Sequence, residues 1–273
     1  MVLFNHNKFF NTKIKKFKVD KSVDPADVKE DFKLIDNFKS KISNYLYNKI
    51  KIGDEKDWDV FTQSRIQMFL SQTLLRSLFL KDGIVRALNT NNFPAFYALA
   101  KSFLEIPAQL GYLTFILYEN KPDEEFRNAL NKLMFGHKGG LTGKMGVDPL
   151  NVMTMFDKLD MVLQKMALSE ASDSEQIKII KSEKAMRTTY EDICNFGHPN
   201  YAAHLSVGGI NKECYWVAKN PKRLESYKYE LYGGFYMHHF TTAIGTILIT
   251  ASMIVRHPKA NNFSKLNNPR LKI

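Results

Sequence analysis

Between Thr189 and Tyr201 the chain gathers Tyr190, Glu191, Asp192, Cys194, His198 and Asn200 around the expected end of a helix. Arg187 lies one turn upstream. Arg187, Tyr190 or Glu191, Cys194 and His198 recur at intervals of three or four residues, which sets them along one helical face. An imidazole at a helix C-terminus has its charged form favoured by the dipole, and a neighbouring Glu191 or Asp192 pushes the same way. Such a His198 is suited to general acid or base work, or to gripping a phosphate with Arg187. His198, Arg187, Glu191 and Tyr190 are therefore the candidate catalytic residues. The structural alternative is that His198 closes the last helical carbonyls while Tyr190 packs.

Other polar groups stand out against apolar surroundings. Lys101 and Glu105 lie one turn apart in a stretch that is apolar nearly all round, so they should pair with each other or turn toward a cavity. With Asn200 and His204 they form the candidate ligand-binding set. His238 and His239 are adjacent, so a helix directs them to different faces and they cannot both hold one ion. No Glu-x-x-His or Cys-x-x-Cys spacing occurs, and no metal or cofactor is expected. Gly143-Lys144 hints at a phosphate loop, but Lys138 stands where the upstream glycine belongs and Met145 replaces the hydroxyl residue.

The elements that must position these groups are helices. Apolar residues at helical spacing predict helices over 24–50, 55–88, 94–119, 122–136, 148–167, 172–196 and 220–257. Asp24-Pro25 supplies an N-cap and a first-turn proline, and Ser172 to Glu175 reads as a capping box. Pro107 predicts a kink, and Gly197, Pro199 and Pro258 predict stops. Residues 200–219 are the least helical. There His204–Val207 and Cys214–Val217 are expected to pair as a short hairpin around Gly208-Gly209. The expected fold is all-α, an up-and-down bundle of about seven helices over residues 23–257, with a hairpin near 203–218. A basic arm (1–22) and a basic tail (258–273) flank it.

The net charge of +11 resembles a nucleic-acid footprint, yet residues 1–21 and 256–273 each carry +5, leaving +1 for the body. Solvated ends and ends that bind a polyanion both fit that distribution. Two cysteines do not make a disulfide framework, so a reducing cytoplasm is expected. Phe240–Val255 is apolar but short for a bilayer and rich in threonine, so a buried helix is expected there rather than a membrane span.

The run Tyr190-x-x-Ile193-x-x-x-x-His198-Pro199-Asn200 resembles a marker of uncharacterised bacterial helical proteins related to the HEPN superfamily. The stretch Asn92 to Glu105 is similar to their preceding helix, with Lys101 where those proteins have arginine. The resemblance spans about residues 70–205. It implies a helical bundle that is often dimeric and that binds nucleotides or cleaves RNA, sometimes in defence or toxin systems. The cleaving members use an Arg-x4–6-His motif. Here Ile193, Asp192 and Glu191 occupy the matching positions, so the usual ribonuclease motif is absent. The open alternatives are thus a protein acting on RNA or nucleotides and a non-enzymatic helical interaction module.

Overall fold

The computed structural model describes residues 10–15, 24–47, 50–136, 149–197, 208–210, 212, 216–218 and 236–261. Over these residues the protein is an all-α bundle. Its helices are α1 (Pro25–Ser43), α2 (Trp58–Asn89), α3 (Phe93–Tyr118), α4 (Asp123–Phe135), α5 (Val152–Glu170), α6 (Ser174–Ser182), α7 (Ala185–Gly197), α8 (Tyr236–Arg256) and α9 (Pro258–Asn261).

Local chemistry sets most of the starts. Asp24 accepts the Ala26 amide at 2.7 Å ahead of Pro25, Asp57 takes Val60, and Asn92 takes Ala95. α5 begins later than its Asp148-Pro149 signal because Asn151 is the residue that caps, accepting Met153 N at 2.8 Å. The capping box of α6 is shifted by one residue. Asp173 accepts Gln176 N at 2.8 Å, and the Gln176 side chain reaches back to Ser172 N at 3.3 Å.

The core is built around α3. Most of its circumference is buried, and it packs against α2, α5, α7 and α8. Phe103, at its centre, meets Phe38 of α1 and Phe240 of α8 edge to face. Gly111 permits the closest helix contact. A Cβ there would lie 2.7 Å from Leu159 Cβ and 3.0 Å from Leu159 Cα, so α3 and α5 touch almost backbone to side-chain root. In α8 the buried positions Met237, Phe240, Ile244, Ile247, Ala251 and Ile254 recur at helical spacing. By length and composition this helix could cross a membrane, and 61% of its apolar window is buried within the bundle.

Several boundaries differ from the sequence expectation. α1 stops at Ser43 instead of near residue 50, where the chain turns with Tyr45 and Leu46 amides on Ile42 and Ser43 carbonyls. The single helix expected over 172–196 is two, broken at Glu183 and Lys184. Pro107, where a kink is expected, lies inside α3, whose bounds are close to those expected. Pro258 starts α9 rather than only stopping α8. α9 lies against α2, where Gln67 Nε2 donates to Ala260 O at 3.0 Å. The hairpin exists with another register. β1 (Gly208–Ile210) pairs antiparallel with β2 (Trp216–Ala218), so Gly208 and Gly209 are strand residues, not the turn. The expected start of the last helix near Asn220 lies outside the described residues.

Part of the N-terminal arm belongs to the body. Residues 10–15 lie across α1 and α2, with Phe10 and Ile14 buried and Asn11, Lys13 and Lys15 exposed. Their backbone is held by Asp82 on Thr12 N (3.2 Å) and by Asn89, which accepts from Lys15 N (2.8 Å) and donates to Lys13 O (2.9 Å). The alternation of apolar and polar residues explains why this basic stretch docks: it hides one face and solvates the other.

Candidate functional site

The polar segment of α7 is positioned from outside its own helix. Asp160 of α5 accepts the amides of Met186 at 3.1 Å and Arg187 at 3.2 Å. This capping carboxylate arrives from a neighbouring helix, which accounts for the break between α6 and α7. Burial pushes the Asp160 carboxyl above its ordinary range, against the downward pull of those two amides. Gln164 of α5 adds a hydrogen bond to Glu183 O at 2.6 Å, fixing the connection.

Arg187 lies between two acids. Its Nη1 donates to Asp157 Oδ1 at 2.7 Å and its Nε to Glu191 Oε1 at 3.0 Å. Those hydrogen bonds hold its guanidinium above the ordinary range. Lys184 also faces Asp157, at 3.8 Å. The positive charge that a phosphate would require is thus already matched by carboxylates.

Tyr190 is buried, stacked at a tilt on Phe156 with ring centres 4.6 Å apart, and its phenol donates to Glu105 Oε1 at 3.2 Å. Burial first, then Glu105 and Cys194, raise the phenol well above its usual range, so it stays a hydrogen-bond donor. Glu105 is shared: its other oxygen faces Arg76 Nη2 of α2 at 4.0 Å. Glu105 meets Tyr190 and Arg76; the sequence expectation for Lys101 and Glu105 is that they pair or turn toward a cavity. Lys101 sits half-buried one turn earlier on α3.

A third link joins α7 to α8. Thr189 Oγ1 and His239 Nδ1 lie 3.1 Å apart, and both side chains are buried. His239 is driven down to about 4, chiefly by burial and then by His238, with Asp192 opposing, so the ring is neutral near pH 7. His238 is exposed, which matches the expectation that the adjacent histidines take different faces.

Of the candidate residues, the fold brings Tyr190 to Glu105 and Arg187 to Glu191. His198, Asn200 and His204 lie outside the described residues. The partners that sequence reading missed are Asp157 and Asp160, a turn apart on α5, together with Arg76 and Thr189. Two aspartates at i,i+3 on an otherwise amphipathic helix are a signal for a polar contact, but they do not say with which helix. The arrangement as described is a latch: carboxylates and a phenol tie α7 to α3 and α5, and a hydroxyl ties it to α8. Comparison with known family models, with curated proteins and with solved structures finds no match.

Proposed function

We propose that the protein is a non-enzymatic, HEPN-like helical module that binds RNA or a nucleotide without cleaving it. The observation that carries this reading is the clamping of Arg187 by Asp157 and Glu191. A metal-free ribonuclease needs a cation free to meet the developing phosphorane charge, and Arg187 of α7 is already paired with two carboxylates. Binding rests on the +10 carried by the two ends, which suits a polyanion. The missing Arg-x4–6-His motif argues in the same direction. Two cysteines without a disulfide framework suit a cytoplasmic setting.

The test uses the full chain and a labelled single-stranded RNA. Fluorescence anisotropy at low and raised salt should show binding that weakens as salt rises. The RNA should remain intact on a gel with wild type and His198→Ala alike. Cleavage by wild type that His198→Ala abolishes would overturn the non-enzymatic reading; salt-independent binding, or none, would overturn the polyanion reading.

A further inference from the structure

One face of α2 carries Phe79, Asp82, Arg86 and Asn89, spaced three or four residues apart. The segment 10–15 is laid along that face. Phe10 meets Phe79 edge to face with ring centres 4.6 Å apart, and Thr12 N donates to Asp82 at 3.2 Å. Asn89 accepts from Lys15 N at 2.8 Å and donates to Lys13 O at 2.9 Å. What this arrangement leaves on the outside is one aromatic ring and three cations. Phe79 is 59% exposed, the highest value for a large hydrophobic side chain among the described residues. Lys13 and Lys15 are exposed, and the Arg86 side chain is 71% exposed while its Nε holds Asp82 at 2.8 Å. Phe79 and Arg86 lie about 10 Å apart along the helix axis. Two described carboxylates lie close by. Asp82 is occupied by Arg86 and the Thr12 amide, and Asp36 is half-buried on the α1 side, next to Lys39 and Lys81.

We infer that this strip of α2 and the docked arm is a platform for single-stranded RNA, on which a base stacks against Phe79 and the adjoining phosphates meet Lys13, Lys15 and Arg86. The inference rests on the polyanion reading above and gives its N-terminal half a fixed address on the bundle. A ring bordered by cations is the combination that holds a single strand: stacking accepts any base, and the cations follow the backbone. Stacking needs an open base face, so the strand is single. The strip has room for about three stacked nucleotides at about 3.4 Å each. Asn89 fixes the backbone of both arm lysines before RNA arrives, so less ordering remains to be done on binding than for a free tail. The exposed ring also finds a role that the core does not give it, since Phe10 covers only part of it.

Anisotropy of a short labelled oligouridylate with the full chain tests it. Phe79→Leu keeps apolar bulk against Phe10 and removes the ring; it should weaken binding about fivefold or more, and Phe79→Tyr should bind as wild type. Asn89→Ala leaves the net charge unchanged and frees the arm, so it should also weaken binding. Lys13→Gln with Lys15→Gln should reduce the salt slope by about one for each lysine. Should a variant fail to fold, photocrosslinking of thiouridine RNA to wild type replaces it, with adducts expected within residues 10–15 and 79–86. Wild-type affinity in either Phe79→Leu or Asn89→Ala, or crosslinks confined to residues 258–273, would overturn the platform and leave salt-dependent binding through the ends standing. Absence of RNA binding by wild type would overturn both.

Discussion

At the residue scale, the polar groups of α7 are consumed by the fold. Tyr190 and Glu105 join α7 to α3 through one hydrogen bond in a buried setting. Tyr190→Phe keeps the ring on Phe156 and removes only the hydroxyl. It should cost about 1 kcal/mol of unfolding free energy in a urea titration, with RNA binding unchanged. His239 gives a pH signature. Its folded value of about 4 lies below the ordinary imidazole value, so the unfolded chain takes up the proton first as pH falls. Stability should be full above about pH 6.5 and decline toward about pH 4, by at most roughly 3 kcal/mol. Comparing urea midpoints near pH 7 and near pH 5 checks this, with His239→Asn expected to flatten the difference. Equal slopes for both proteins would show that His239 is not the titrating group.

At the scale of elements, the bundle depends on one close crossing. Helix propensity alone favours Gly111→Ala by about 0.5–1 kcal/mol. The contact with Leu159 reverses that sign, because the new methyl would meet the root of a side chain and its Cα rather than a flexible end. We expect Gly111→Ala to lose roughly 1–3 kcal/mol in a thermal melt, and a gain would show that α3 and α5 can separate freely. The same scale explains what was legible in the sequence. Asp24 announces α1 because the cap lies within a turn of the amide it serves. The break between α6 and α7 was hidden because its cap, Asp160, belongs to a helix 26 residues upstream. The α7 face was readable as polar from its spacing. Its meaning was not, since Asp157, Asp160 and Glu105 approach only when α3, α5 and α7 pack. The shifted hairpin shows a further limit: Gly208-Gly209 reads as a turn by residue type, yet both residues pair across β2.

At the scale of the whole molecule, the total charge of +11 proves less informative than where the lysines lie. Lys13 and Lys15 face outward from a segment whose other side fills a groove, so basicity and packing coexist in six residues. Phe10 is 7% exposed and sits edge-on to Phe79 at 4.6 Å. Phe10→Ala should lower stability by about 3 kcal/mol, and brief protease treatment should then cut near residues 10–15 before the helices. An unchanged melting temperature and cleavage pattern would mean that the segment adds nothing to the fold. The all-α class was plain from sparse glycine and long helical periods. The docking of the arm was not, because the acceptors that hold it lie on α2, far along the chain.

That separation has a consequence for how the protein is made. Lys15 and Asn89 touch across 74 residues. At about 5–20 residues per second, the segment waits roughly 4–15 s on the ribosome before its partner is even synthesised. During that interval Phe10 and Ile14 have no groove to enter, while α1 already has time to form. The six residues that leave the tunnel early are therefore among the late ones to settle, closing over a nascent chain that has begun to pack behind them.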